Sequence, residues 1–264
     1  MGFKFLVIAI TLLSFPSTAQ KVENKIKTVV IDPGHGGFQP GTMSKNSKEK
    51  DITLKVGLKV GKYISDNLPD VKVLYTRTKD VAVGLDQRAK LANDNQADVF
   101  ISIHVNSLPA SVPHERKQAI YGTETYVMGL HVSEANFEVA KRENSVILLE
   151  ENYQEKYSGF DPSSPESYIL FSLNQSATQE QSLLLASKIE EQFKTRAGRK
   201  SKGVKQAGFM VLWMTAMPSV LVEIGYLSNE KEERELNDET VQDYIASAIY
   251  RAFKEYKEEM EALN

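Results

Sequence analysis

The 264-residue chain is 41% hydrophobic and 25% charged, carries a net charge of −3 and contains no cysteine. That length suits one substantial α/β domain or two small ones, and the composition is that of a globular rather than a disordered protein. Slight acidity offers no general attraction to nucleic acid, which is bound through clustered Lys and Arg, and the lack of Cys excludes disulfides and thiolate-bound metal.

The chain begins with a leader-like segment. Residues 1–4 are short and positive, residues 5–15 form an apolar run too short to span a bilayer in the usual way, and Pro16 then precedes Ser17-Thr18-Ala19. Small residues after an apolar core suit a signal peptidase, so residues 1–19 are expected to be a signal peptide cleaved after Ala19. No Cys follows to take a lipid. The expected product is exported to the periplasm or cell envelope, with no stable membrane span after cleavage.

Short β-branched runs predict strands at residues 28–32, 71–76, 99–104, 124–128 and 219–224. They alternate with helical periodicity around Ile52, Val56, Lys59, Val60 and Tyr63, then at residues 85–95, 182–193 and 241–260. Alternation of this kind predicts an α/β fold: a single layered domain with a mostly parallel or mixed central sheet and helices on both faces. Chemistry in such sheets collects at the carboxyl ends of the strands. An insertion at about residues 129–180 breaks the rhythm, far longer than a usual connection. It holds a helical stretch at 134–153 and the turn-rich Ser158-Gly159-Phe160-Asp161-Pro162-Ser163-Ser164-Pro165. Insertions of this length serve as lids, binding elements or mobile loops.

Unusual polar residues lie where predicted strands end. Val29-Val30-Ile31-Asp32 runs into Pro33-Gly34-His35-Gly36-Gly37, where proline stops the ladder and the glycines allow a sharp turn and close approach to a ligand. His104 closes Phe100-Ile101-Ser102-Ile103 in the same way. Each histidine alone reads equally as an incidental or satisfied core residue, but two at equivalent strand ends suit a metal. Glu49 opens the first helix in Lys48-Glu49-Lys50-Asp51, where a carboxylate also complements the helix dipole. His, His and Glu with an open fourth position make a standard set for catalytic zinc. Glu223 sits inside the apolar run Ser219-Val220-Leu221-Val222-Glu223-Ile224, where an unpaired charge is costly. It reads either as the partner of a core Arg such as Arg77 or Arg88, or as a carboxylate adjusted for proton transfer beside a metal.

These motifs, with Val222-Glu223-Ile224-Gly225-Tyr226-Leu227-Ser228-Asn229, resemble in order the zinc-dependent N-acetylmuramoyl-L-alanine amidases of the amidase-3 type. The likeness runs from about residue 27 to 256 and includes Leu74-Tyr75-Thr76-Arg77, Gly122-Thr123-Glu124-Thr125-Tyr126 and the segment at 203–212. It implies a catalytic domain over 20–264 that cleaves the amide between N-acetylmuramic acid and L-alanine in peptidoglycan. His35, Glu49 and His104 take the places of the Zn2+ ligands and Glu223 that of the catalytic glutamate. Lys50 and Asp51 belong to the motif without implied metal contact; Asp32 and Asn106 flank the ligands with no assigned role; His114 and His131 match nothing. The insertion resembles the segment of daughter-cell-separation members, in which a helix covers the site until an activator protein displaces it. Residues 144–153 are the expected helix, with Glu150 or Glu151 as the carboxylate filling the metal's open position. A zinc carboxypeptidase acting on wall peptides, or a non-catalytic peptidoglycan-binding protein, are the alternatives.

Overall fold

The computed structural model describes residues 25–130, 133–172 and 178–263, so the expected leader at 1–19 and His131 lie outside the described residues. Strands β1 (Thr28–Pro33), β2 (Lys72–Tyr75), β3 (Val99–Asn106), β4 (Thr123–Met128), β5 (Ser201–Ala207) and β6 (Ser219–Tyr226) form one sheet in the order β2-β1-β3-β6-β4-β5. Four of them, β2, β1, β3 and β6, run parallel; β4 lies antiparallel to β6 and parallel to β5. The sheet is therefore mixed, as expected. Strand β5 was not expected, because Ser201-Lys202-Gly203-Val204-Lys205-Gln206-Ala207 lacks a β-branched run. It is a half-exposed edge strand held by pairing to β4, and its lysines suit an edge that must not recruit another chain.

The helices, in chain order, are α1 (Glu49–Asn67), α2 (Leu85–Asp94), α3 (His114–Ala119), α4 (Glu134–Asn144), α5 (Tyr153–Lys156), α6 (Pro165–Ser172), α7 (Gln179–Thr195), α8 (Met210–Trp213), α9 (Glu230–Asn237) and α10 (Glu239–Ala262). Among the described residues none is long and apolar enough to cross a membrane.

Period-two alternation sorts the strands onto two cores. Val29, Ile31, Val99, Ile101, Ile103, Val220, Val222 and Ile224 pack with α1, α7 and α10. Val30, Phe100, Tyr126 and Leu221 face the other way, against α2, α8 and the insertion. Continuing that parity puts Asp32, Ser102, His104, Glu124 and Glu223 on the insertion's face. One face of the sheet thus stabilises the domain, while these five polar residues of the strands lie on the opposite face, and Glu49 joins them from the first turn of α1.

The expected continuous helix at 134–153 is not formed. Ser133 caps α4 by accepting from the Asn136 backbone NH, and the helix ends at Asn144. A tighter 3-10 turn follows at Ser145–Leu149. Asn144 is spent on tertiary bonds: its Nδ2 donates to Gly208 O at 2.7 Å and its Oδ1 accepts from Met210 N at 2.8 Å. Beyond the turn Asn152 adopts φ 57°, a left-handed conformation that asparagine tolerates.

Candidate metal centre

The first histidine is held by its backbone. His35 lies at φ 59°, a conformation costing an L residue roughly 1–2 kcal/mol. Two buried arginines offset that cost by clamping the loop. Arg77 donates to Pro33 O at 2.9 Å and Gly34 O at 2.8 Å, while Arg88 donates to His35 O at 2.8 Å and to Asp32 at 2.6 Å. Gly34 is required for space: a Cβ there would lie 2.5 Å from the His104 ring. Gly41 has the same constraint, since its Cβ would meet His35 and Glu49 at 2.5 Å.

His35, Glu49 and His104 converge as the motifs implied. Glu49, fully buried at the first turn of α1, places Oε1 3.2 Å from His35 Nε2 and 3.0 Å from His104 Nδ1. It also accepts from Val105 N at 2.9 Å and Thr42 N at 2.7 Å. A role confined to the helix dipole would leave it in solvent, as Asp51 is left. The imidazoles meet edge to face with centroids 4.9 Å apart.

A fourth group completes the set. Glu143 of α4 brings Oε2 to 3.0 Å from both His35 Nε2 and His104 Nδ1. The ligand atoms of His35, Glu49, His104 and Glu143 all lie within 4.8 Å of one another. His35 Nε2 and Glu143 Oε2 are buried without a hydrogen bond, a costly arrangement unless a cation satisfies them. Burial opposes ionisation at every member, yet the mutual charges win. Glu49 is drawn down to about 2 by His35, Glu143 falls well below its ordinary value beside His104 and Arg142, and both imidazoles are raised by the carboxylates. The cluster demands positive charge at its centre, and its two imidazole nitrogens and two carboxylate oxygens fit a zinc-like ion.

Neither Glu150 nor Glu151 reaches this point, which corrects the expectation. Glu150 pairs with Lys156 at 3.1 Å and Tyr157 at 2.9 Å, and Glu151 is exposed. The helix on which they were placed has already ended. Glu143 was missed, although a signal existed: Phe137, Ala140, Glu143, Asn144 and Ile147 share one helical stripe that is otherwise suited to burial.

Glu223 of β6 sits opposite His104 of β3 and opposite Glu124 of β4. It is fully buried, and neither carboxylate oxygen has a hydrogen-bond partner. Arg77 and Arg88 are engaged elsewhere; the nearest cation is Arg142 of α4, 3.6 Å away. Burial, followed by the charge of Glu143, raises the Glu223 pKa well above the ordinary carboxylate value. Among the described residues Asp32 makes no hydrogen bond to either imidazole but accepts from Thr76, Ser102 and Arg88, so it supports the His35 loop through Arg88. Asn106 binds Glu124 and Arg142. Lys50 ties the loop at Gly37 O to Asp80, and His114 is exposed on α3, apart from the cluster.

The chain has counterparts among known proteins. The family described as N-acetylmuramoyl-L-alanine amidase matches residues 29–255. The chain belongs to that family. The amidase is 31% identical to N-acetylmuramoyl-L-alanine amidase AmiA of Escherichia coli, over 84% of this chain and 73% of AmiA. It is 28% identical to AmiC of Escherichia coli over 92% of its own length, and spans 56% of AmiC. Among solved structures, an N-acetylmuramoyl-L-alanine amidase from Clostridium difficile is similar at TM-score 0.65 and 27% identity, covering 88% of this chain and 97% of that one. The CwlD amidase of Clostridioides difficile, solved in complex with the GerS lipoprotein, is similar at TM-score 0.63 and 26% identity, covering 87% and 98%.

Proposed function

We propose that this amidase hydrolyses the amide between N-acetylmuramic acid and L-alanine in peptidoglycan, with zinc held by His35, Glu49 and His104 and with Glu223 moving the proton. The observation that carries this reading is the convergence of two imidazoles and Glu49 on one point, beside a buried carboxylate whose oxygens have no hydrogen-bond partner among the described residues. Bound zinc supplies Lewis acidity towards a carbonyl and towards water. The chain's own residues do the rest. Arg77 and Arg88 lock the His35 loop, Glu49 is fixed by the backbone NH groups of Thr42 and Val105, and Glu223 takes up a proton and passes it to the alanine nitrogen. A carboxylate with a raised pKa is suited to both halves of that transfer.

The insertion is read as an autoinhibitory lid. Glu143 occupies the fourth position of the cluster and Arg142 of the same helix turns towards Glu223, so α4 masks both halves of the chemistry. Leu148, Leu149, Ile169 and Leu170 leave apolar surface on the insertion, which suits an activator protein that lifts it. A masked wall hydrolase agrees with export, a cleaved leader at 1–19, a catalytic domain over 20–264 and a role in daughter-cell separation in the cell envelope.

Digestion of purified sacculi, with and without chelator, tests the reaction. New L-alanine N-termini that vanish with chelator are expected. Shortened stems would indicate a carboxypeptidase instead, and no product even from a lid-opened variant would indicate a binding protein. Glu223→Gln should keep its metal and lose activity by about 10²–10⁴-fold; retained turnover would remove the assigned role.

A further inference from the structure

Beside Glu223 lies a second built feature. Strands β4 and β5 pair Thr123 with Ser201 and then Thr125 with Val204, so β5 carries one extra residue between them. In a regular strand Lys202 and Lys205 would point to opposite faces. The bulge, which places Gly203 at φ 85°, brings both onto one carboxylate. Lys202 and Lys205 reach Glu124 Oε1 at 2.5 and 2.7 Å. The hydroxyls of Tyr126 and Tyr226 each donate to Glu124 at 2.7 Å. Two ammonium groups and two phenols therefore surround a single buried carboxylate, leaving positive charge in surplus.

That surplus faces a cavity of about 550 Å³, whose wall also includes Arg116 and Arg142 and carries four cations against the two carboxylates Glu124 and Glu138. The side chains of Lys202 and Lys205 are about a quarter exposed, so they are open to a ligand. Arg116 makes no ion pair among the described residues. Because Glu124 is the register partner of Glu223, the cavity adjoins the proposed position of the leaving amine. Glu138, Val139 and Arg142 roof it from α4, whereas Lys202, Lys205 and Arg116 come from β5 and α3, outside the insertion, and remain when the lid moves.

We propose that this cavity binds a free carboxylate on the peptide leaving group, carried by the residue that follows L-alanine, through Lys202, Lys205 and Arg116. The inference rests on the amidase reading for the direction in which the peptide runs. A charge-assisted contact in a half-closed cavity favours an anionic stem over its carboxamide, giving the enzyme a preference that its metal cluster alone would lack.

Two synthetic muramyl peptides test this, identical except that the residue after L-alanine carries a free carboxylate or its carboxamide. Calorimetry on the zinc-loaded full chain with Glu143→Ala and Glu223→Gln measures binding without turnover. The carboxylate form should bind about tenfold more tightly. Lys205→Met and, separately, Arg116→Gln should each bring the ratio of the two affinities towards one. Arg116 is exposed and makes no ion pair among the described residues, so its variant reports even if Lys205→Met misfolds. Equal affinities in the parent chain, a ratio unmoved by both variants, or no binding of either peptide would overturn the proposal. Preferential carboxylate binding, with no L-alanine termini released by the Glu143→Ala chain, would keep the subsite and overturn the amidase reading.

Discussion

At the scale of single residues, Glu143 is the most informative side chain. It shares the cluster's central point with Glu49, yet it comes from an insertion rather than from the sheet. Replacing it by alanine removes one of two carboxylates that meet the imidazoles at 3.0–3.2 Å. The expected outcome is a rise of roughly tenfold or more in basal hydrolysis, corresponding to about 1.4 kcal/mol less stabilisation of the covered state. Release of L-alanine termini, compared between Glu143→Ala and the parent at equal zinc loading, measures this. A fall in activity would show instead that Glu143 assists the reaction. Its identity was legible in part, since a charged residue in an apolar helical stripe announces burial. Its destination was not, because nothing in the local pattern says which strand end the helix will cover.

At the scale of elements, the insertion docks through polar contacts as well as apolar burial. Asn144 ties the end of α4 to the β5–α8 connection through Gly208 and Met210. Buried hydrogen bonds of this kind leave orphaned partners when removed, at a cost of about 1–3 kcal/mol. Asn144→Ala should therefore loosen the insertion without touching the cluster, speeding amide hydrogen exchange in α4 and raising basal activity. Faster exchange spread evenly through the sheet would argue that the insertion is simply part of the core. The strand expectations succeeded wherever β-branched runs alternate on the two cores. They missed β5, whose polar composition reflects an edge position and a bulge. Both features depend on β4 lying beside it.

At the scale of the whole molecule, stability and site share the Asp32–Arg88 pair. Burial opposes ionisation of Asp32, but the charge of Arg88 and the hydrogen bonds from Thr76, Ser102 and Arg88 keep its pKa below the ordinary 3.8. A depressed folded-state value means that this stabilisation is complete above the unfolded pKa and is lost as pH falls through the folded one. Arg88→Met strands the carboxylate, so the variant should be about 3–5 kcal/mol less stable at neutral pH. Below about pH 4 protonation of Asp32 relieves the stranded charge, so the gap should narrow. Denaturant unfolding at several pH values measures it, and a gap independent of pH would dissociate the pair from stability.

The sequence alone determined the alternation of strands and helices, the strand-end placement of His35 and His104, the anomaly of Glu223 and the family to which the chain belongs. These are short-range facts: hydrophobic period, turn residues and ordered motifs are written within a few residues of one another. Only the tertiary structure decided that Glu143, rather than Glu150 or Glu151, meets the histidines, that Glu223 faces Arg142, and that a bulge turns Lys202 and Lys205 onto Glu124. Those outcomes depend on where an insertion docks and how two strands register, and both are set by packing between segments far apart in the chain.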